Sequence, residues 1–367
     1  MIVGVPKEIK SDEKRVAMTP LGVATMVARG HTVYVERSAG VGSLITDEDF
    51  ENAGAKILPT AAEVWTRSEM IVKVKEPLPA EFDFMKDKLI YTYLHLAAAE
   101  ELTHAMLSSG CVGVAYETIE LADGSLPLLA PMSEVAGKLA PQVGAQCLEA
   151  AYGGSGILLA GVSGVAPAKV AIIGAGVSGQ CACEIAVGMG AQVTILDINP
   201  TRLRYIHDIH RGKLITLMSN SGNIEKAVLE SDLVIGAVLI PGAKAPKLVT
   251  GDMIRRMKPG SAVVDISVDQ GGCFETTHAT THSHPTFVVH DVVHYCVANM
   301  PGIVPRTSTY ALTNATLSYS LELADKGVEA AVANNLPLRK GINIYKGKVT
   351  YRGVAEAWDL PYTPYEA

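Results

Sequence analysis

The feature that most constrains this chain is a glycine-rich turn that follows an apolar, β-prone stretch. Residues 169–173 read Lys-Val-Ala-Ile-Ile, and Gly174, Gly176 and Gly179 follow in the pattern Gly-x-Gly-x-x-Gly before helix-compatible residues. The first glycine of such a pattern permits a tight turn, the second lets a pyrophosphate approach the backbone, and the third lets the helix pack closely on the strand. A glycine-rich turn that only packs a helix on a sheet explains the same three glycines.

A second strand pattern separates these two interpretations. Residues 192–196 are β-prone and end at Asp197, which lies about 20 residues after the first glycine, where a carboxylate meets the ribose hydroxyls of a dinucleotide. A packing turn does not require that carboxylate, so the sequence predicts dinucleotide binding. Arg202 could meet a 2′-phosphate and favour NADP, but Asp197 would repel such a phosphate, and the pattern therefore favours NAD.

Strand and helix patterns alternate along the 367 residues, a length that suggests two domains. Strand patterns cover 2–5, 32–36, 70–75, 89–94 and 112–115 in the first part, and 169–173, 192–196, 214–217, 233–237, 262–266 and 286–289 in the second. Long helical patterns cover 133–152 and 307–326. We expect a two-lobed α/β chain joined by long helices. Residues 1–127 with 306–367 are expected to form a discontinuous α/β substrate domain, and residues 128–305 a doubly wound Rossmann domain that binds NAD.

Composition narrows the classes of partner. The net charge is −7 and no basic block stands out, which argues against nucleic acid. The most apolar region, 153–179, is interrupted by glycines, Pro167 and Lys169, and predicts a loop and a buried strand instead of a membrane span. No cleavable apolar leader follows Met1, and the six cysteines contain no Cys-x-x-Cys pair. We therefore expect a cytoplasmic protein with reduced thiols.

Four polar residues occupy positions where the carboxyl ends of strands would place a ligand. Lys75 and His95 end two predicted strands, Asp269 follows the strand pattern 262–266, and Arg15 lies in a charged loop after the first strand. Arginine and lysine can clamp a carboxylate. Histidine and aspartate can carry protons. Together these residues predict a site for a small anionic substrate.

Each of these residues also has a purely structural interpretation. Arg15 can be a solvated charge, and Lys75 shares a face with Lys73, as on an exposed edge strand. His95 can be a core histidine, and Asp269 can cap a plain turn.

Five histidines cluster late in the expected Rossmann domain: His278, His282, His284, His290 and His294. Imidazole suits zinc, but no two of them fall at i, i+4 on an obvious helix beside a glutamate, so we predict no metal site.

Several longer motifs carry a family resemblance. They are 4–10 (Gly-Val-Pro-Lys-Glu-Ile-Lys), 15–20 (Arg-Val-Ala-Met-Thr-Pro), 74–77, 93–98 (Tyr-Leu-His-Leu-Ala-Ala), 131–137, 265–272, 297–302 and 307–316. Across essentially its whole length the chain resembles the family of alanine dehydrogenases and nicotinamide nucleotide transhydrogenase alpha subunits. The Tyr-Leu-His motif and the loop 124–131 favour alanine dehydrogenase, because a transhydrogenase subunit is expected to lack that motif and to need membrane partners.

The resemblance implies reversible, NAD-dependent oxidative deamination of L-alanine to pyruvate and ammonium by a homohexamer. Arg15 and Lys75 would bind the substrate, and His95 and Asp269 would be the acid–base groups. The implied NAD contacts are Ser133, Val177, Asp197, Arg202, Ser219, Val238, Leu239, Ile266, Ser267, Val268, Asp269, Val297, Ala298, Asn299 and Met300.

Two positions depart from the family pattern. His278 stands where the family has an arginine that reaches the cofactor, and Lys326 lies near a position where some members have a histidine.

An alternative from another class of function is a nucleotide-sensing module without amino-acid turnover. A sensor needs no substrate clamp, so the presence of all four polar residues argues against it.

Overall fold

A computed structural model describes residues 1–238 and 245–366. The chain forms two compact units, one of residues 1–132 with 304–367 and one of residues 133–303. Each unit contains a predominantly parallel sheet with helices, which confirms the predicted α/β class. Within the described ranges, no helix has both the length and the apolar character needed to cross a membrane.

Strands and helices follow one another along the chain in both units. Residues 1–132 contain β1 (Ile2–Val5), α1 (Pro20–Ala28), β2 (Thr32–Glu36), α2 (Asp47–Asn52), β3 (Lys56–Leu58), α3 (Ala61–Arg67), β4 (Met70–Val72), β5 (Leu89–Thr92), α4 (Glu100–Ser109), β6 (Val112–Ala115) and the start of α5 (Ala130–Cys147). The second unit continues with β7 (Lys169–Ile173), α6 (Val177–Gly188), β8 (Gln192–Asp197), α7 (Pro200–Ile209), β9 (Ile215–Met218), α8 (Ser221–Glu230), β10 (Leu233–Gly236), α9 (Gly251–Arg255), β11 (Ala262–Asp265), β12 (Thr286–Val289) and β13 (Val292–Tyr295). The tail adds α10 (Pro305–Ala333), α11 (Leu336–Lys340), β14 (Ile342–Tyr345), β15 (Lys348–Val349) and α12 (Arg352–Trp358) to the first unit.

The sheet of the first unit has the order β15-β14-β6-β5-β4-β1-β2-β3. Strands β1 to β6 are parallel, and the tail strands β14 and β15 extend the sheet in antiparallel fashion. The strand order reverses between the neighbours β1 and β4. In a doubly wound sheet this reversal opens a crevice at the carboxyl ends of the two strands, where ligands bind. The loops that begin after Val5 and Val72 therefore lie at a position suited to a ligand.

The sheet of the second unit has the order β12-β13-β11-β10-β7-β8-β9, with β12 as an antiparallel edge. The strand order reverses between β7 and β10, so the turn after β7 lies at the switch point. This arrangement confirms the predicted doubly wound sheet. Strand β13 was not predicted. It pairs with β12 across a two-residue turn, His290-Asp291, whose φ angles of 51° and 60° are those of a tight hairpin.

Several element boundaries differ from the sequence patterns. Strand β4 ends at Val72 and not at residue 75, because the Val74 N–H donates to the Glu8 carboxylate and not to a neighbouring strand. Helix α5 begins three residues early, at Ala130, since a proline is tolerated in the first turn of a helix. Helix α10 runs past residue 326, but Gly327 has φ 73° and ψ 169°, so the regular helix breaks where the sequence pattern ends.

Candidate active site

The glycine turn after β7 has the geometry that its sequence predicted. Gly174 has φ 101°, a conformation that glycine adopts without a Cβ penalty. A Cβ at Gly179 would run into the Gly174 carbonyl oxygen. Among the described residues, a Cβ at Gly176 would meet only Arg202 Nη1, at 3.9 Å. The backbone at Gly176 is therefore open to a ligand at the start of α6, where main-chain N–H groups and the helix dipole favour an anion.

Asp197 is fixed against this turn at the end of β8. Its side chain is nearly buried, with 8% exposure. Oδ2 accepts the N–H of Ala175 at 2.6 Å, and Oδ1 accepts the N–H of Asn199 at 2.8 Å. An ionised carboxylate has about four acceptor sites, so both oxygens can still accept from ribose hydroxyls. Together with the exposed Arg202, these residues fit a dinucleotide.

The other predicted cofactor contacts follow neighbouring strands of the same sheet. Ser219 follows β9 and donates its N–H to the Asp197 carbonyl at 2.9 Å, and Val238 follows β10. Residues 266–269 follow β11 and residues 297–300 follow β13. Val177 is the first residue of α6, and Ser133 lies in the first turns of α5. Leu239 lies outside the described residues.

The loop after β11 presents Asp269 from a short 3-10 turn, Val268–Gln270. The exposed Asp269 accepts the N–H of Asn299 through Oδ2 at 3.1 Å. A second carboxylate, Asp265, is fully buried and accepts the Ser267 N–H at 3.1 Å and the Thr277 hydroxyl at 2.7 Å. Burial raises the pKa of Asp265, and these bonds oppose the rise. Asp265 thus fixes the start of the Asp269 loop, a role that the sequence pattern did not reveal.

In the first unit, Arg15 is buried in an ion pair with Glu13. The Arg15 side chain is 2% exposed, so its interpretation as a solvated charge is wrong. Nε donates to Glu13 Oε1 at 2.7 Å, Nη2 donates to Oε2 at 2.5 Å, and Nη1 lies 3.0 Å from Met132 Sδ. Burial alone would raise the pKa of Glu13, but the bonds and charge of Arg15 lower it to about 2. Glu13 therefore holds one edge of the guanidinium in place.

Lys75 follows β4, which lies between β5 and β1 inside the sheet. The edge-strand interpretation is therefore wrong, and Lys73, which would share the exposed face, is fully buried. Burial lowers the pKa of the Lys75 amine, and the positive charge of Arg15 lowers it further. Two cationic groups that repel each other in this way favour the binding of an anion such as a carboxylate.

His95 follows β5, and its side chain is 46% exposed, so the core-histidine interpretation is wrong. Its φ of 50° is left-handed, and its N–H donates to Glu117 Oε1 at 2.6 Å. The ring stacks on Tyr93, with centroids 5.7 Å apart, and Nδ1 lies 3.9 Å from Glu117 Oε1. Glu117, which follows β6, was not found from the sequence. Its distance of 22 residues from His95 carries no periodic signal.

Part of the histidine cluster packs as rings. His278 stacks on Phe287 at 4.0 Å, and Phe287 stacks on His294 at 5.0 Å. His294 is fully buried between Thr276 and the Val292 carbonyl, and burial lowers its pKa. In the part of the chain that the structure describes, no three His, Cys, Asp or Glu side chains are grouped to hold a metal.

Comparisons with known proteins cover the whole chain. The family model described as alanine dehydrogenase/PNT, N-terminal domain, matches residues 4–136, and the corresponding C-terminal domain model matches residues 140–352. An alanine dehydrogenase of Methanococcus maripaludis is 58% identical and covers 100% of this chain and 99% of the relative. One of Mycolicibacterium smegmatis is 55% identical, with 99% and 98% covered.

Solved structures show the same similarity. A structure of an L-alanine dehydrogenase superposes with a TM-score of 0.95 at 51% identity, covering 98% of this chain and 99% of that one. A transhydrogenase from Sinorhizobium meliloti gives a TM-score of 0.82 at 26% identity, covering 96% and 99%.

Proposed function

The chain belongs to the alanine dehydrogenase/PNT family, and we propose that it oxidises L-alanine to pyruvate and ammonium with NAD, in a reaction that also runs in reverse. The observation that carries this proposal is the placement of Arg15, Lys75 and His95 on loops that follow adjacent strands of one sheet. These groups supply a carboxylate clamp and a proton carrier. A nucleotide sensor or a transhydrogenase-like module without amino-acid turnover would need neither.

The family implies a nicotinamide cofactor, and Asp197 supports NAD as the specific one. Gly174, Gly176 and Gly179 would hold the pyrophosphate at the start of α6, and Asp197 would accept the ribose hydroxyls. A nicotinamide cofactor held by these residues would supply the acceptor for the hydride that leaves the substrate Cα. The unit of residues 133–303 would thus serve the cofactor, and the unit of residues 1–132 with 304–367 the substrate.

Arg15 and Lys75 would hold the substrate carboxylate. Glu13 occupies Nε and Nη2 of Arg15, so the guanidinium is oriented before a substrate arrives. Such preorganisation reduces the entropy lost when the substrate is fixed in a reactive position. Positioning of this kind supplies a large part of the rate in reactions where a cofactor carries the redox chemistry.

After hydride loss from Cα the substrate is iminopyruvate. The remaining steps add water and move protons between the substrate and the protein. Water then adds to its C=N carbon, and the carbinolamine collapses to pyruvate and ammonia. His95, partly exposed and in contact with Glu117, would carry the proton in the addition and collapse. Asp269 would shuttle or orient a proton near the amine. The Asn299 N–H, which donates to its carboxylate, would keep that carboxylate oriented.

We further propose a cytoplasmic homohexamer whose ligands are small molecules, without nucleic acid or membrane partners. The net charge of −7 supports the absence of nucleic acid binding. Leu158, Val162 and Val165 are 61–62% exposed on one loop, and exposed apolar groups of this kind support association between subunits.

The test is absorbance in the NADH band after L-alanine and NAD are mixed with the protein. We expect NADH to form, at a rate that rises with pH because the substrate amine must lose its proton. Binding of NADH without turnover of any small amino acid would favour the sensor.

A further inference from the structure

A lysine outside the proposed mechanism is buried between two carboxylates in the first unit. Lys73 Nζ lies 3.3 Å from Glu8 Oε2 and 2.9 Å from Glu81 Oε1, and the three side chains are 0%, 2% and 4% exposed. We call Glu8, Lys73 and Glu81 the buried triad. Buried charges lose their hydration, and apolar residues of similar volume are often equally stabilising in their place. Stability alone therefore does not explain the buried triad.

The buried triad also bonds to the main chain that carries Lys75. Glu8 Oε1 accepts the Val74 N–H at 2.6 Å and lies 3.4 Å from the Lys75 N–H. Glu81 Oε2 accepts the Leu78 N–H at 3.0 Å. The chain between β4 and the following 3-10 helix, Pro79–Phe84, is thus held by carboxylates near both of its ends.

A further bond fixes Lys75 from the neighbouring strand. The hydroxyl of Thr92, the last residue of β5, donates to the Lys75 carbonyl at 2.9 Å, and Thr92 is fully buried. Glu8 follows β1 and Lys75 follows β4, the two strands between which the order of the sheet reverses. The polar bonds to the Lys75 peptide thus converge at the switch point.

We propose that Glu8, held in place by Lys73, is a positioning residue that fixes the main chain of Lys75 for binding of the substrate carboxylate. This inference rests on the proposed function for the role of Lys75. A lysine side chain is long and flexible and has no planar fork that aligns it with a carboxylate. Its ammonium can be placed reproducibly only if its main chain is fixed, and Glu8 and Thr92 hold the two polar atoms of that peptide position.

The test uses Glu8→Asp, which keeps the charge opposite Lys73 but withdraws the carboxylate from the Val74 and Lys75 amides by about one C–C bond, ~1.5 Å. Thr92→Val is a second variant. Valine has a volume similar to that of threonine, so this change removes the hydrogen bond from the Thr92 hydroxyl to the Lys75 carbonyl without changing charge. The matched control is Glu69→Asp, because Glu69 also bonds to a backbone N–H, that of Ile2 at 2.7 Å, but lies just before β4, at the opposite end of that strand from Lys75.

Binding of pyruvate is measured by calorimetry in the presence of NAD, a combination that cannot turn over. We expect Glu8→Asp to weaken pyruvate binding roughly tenfold, since a misplacement of about 1 Å can change rates or affinities by as much as ~100-fold. Thr92→Val should act in the same direction, and Glu69→Asp should stay within about twofold of wild type. With L-alanine, KM should rise while kcat falls much less, as expected for a binding group.

Two further measurements separate positioning from general damage. Hydrogen exchange of the peptide that spans Val74 and Lys75 should be faster in Glu8→Asp, with other peptides of the unit unchanged. In a Lys75→Ala background, Glu8→Asp should weaken pyruvate binding no further, because the two residues act through one group.

The outcomes are distinct. If pyruvate binding is unchanged in Glu8→Asp, or weakens equally without Lys75, the positioning role is overturned even when the wild type oxidises alanine. If the wild type binds pyruvate but forms no NADH, the proposed function fails, and the binding data still decide the role of Glu8.

Discussion

Replacing Asp197 with alanine should weaken NAD binding at least tenfold and relax the preference for NAD over NADP. Asp197 Oδ1 and Oδ2 are held by the N–H groups of Asn199 and Ala175 at 2.8 and 2.6 Å, so the carboxylate is oriented before the cofactor binds. A hydrogen bond to a charged group contributes about 1.5–3 kcal/mol. Since 1.4 kcal/mol corresponds to a tenfold change, loss of one such bond weakens NAD binding by about 10- to 100-fold.

The preference between cofactors should change for an electrostatic reason. Two unit charges in contact repel by about 1 kcal/mol even in a water-like dielectric, and by more at a partly buried site. Asp197 is 8% exposed, so its removal should lower the NAD-to-NADP preference by roughly tenfold or more. Arg202, beside Gly176, would remain available to a 2′-phosphate.

The assay is titration of each cofactor by calorimetry, together with initial rates at saturating L-alanine. Asp208→Ala, an exposed aspartate on α7, is the matched control and should bind NAD as the wild type does. Thermal unfolding of each variant checks that the turn at Ala175 survives the loss of its acceptor. An affinity for NAD within twofold of wild type in Asp197→Ala would refute the ribose contact.

Three further outcomes follow from the first unit. His95→Ala should lower kcat for alanine oxidation by about 10²–10⁴-fold with NADH affinity unchanged, and near-normal turnover would exclude a proton-carrying role. Arg15 lowers the folded-state pKa of Glu13 from 4.5 to about 2. The ionised carboxylate therefore adds about 3 kcal/mol to the free energy of unfolding above pH ~4.5, and this contribution is lost as the pH falls through ~2. Urea unfolding should therefore show that Glu13→Gln is less stable than the wild type at pH 6 and that the difference shrinks at pH 3; an equal difference at both pH values would contradict this linkage. Because the pKa of Lys75 is lowered from 10.5, its positive charge is lost earlier on the alkaline side, so KM for pyruvate should rise with pH there, and Lys75→Ala should abolish that rise.

The second unit could be predicted from the sequence in more detail than the first. The glycine turn, the following helix and Asp197 are close together along the chain. Local sequence patterns for turns, helix starts and strand ends predict each of them. Its doubly wound class was therefore predictable, although β13 was missed. The site of the first unit depends instead on contacts between distant segments, such as Glu117 with His95, which no local pattern contains.

The interpretation of residues 72–75 shows why local patterns fail there. The alternation Val-Lys-Val-Lys is equally compatible with an exposed edge strand and with a buried strand end. The difference depends on Glu8 and Glu81, which approach Lys73 from other segments and pair with its charge. A buried lysine is rare unless paired, so the local sequence alone does not decide the environment of Lys73.

The buried triad also constrains how this sequence can change over time. Removing one member of a buried ion pair costs about 3–5 kcal/mol, whereas replacing the whole set by apolar residues is often neutral. Glu8, Lys73 and Glu81 lie on three separate segments, so they cannot be replaced together by one local event. A lineage that lost one of them would lose much of its stability margin before it could reach an apolar substitute, and we expect the three positions to be retained or replaced as a set.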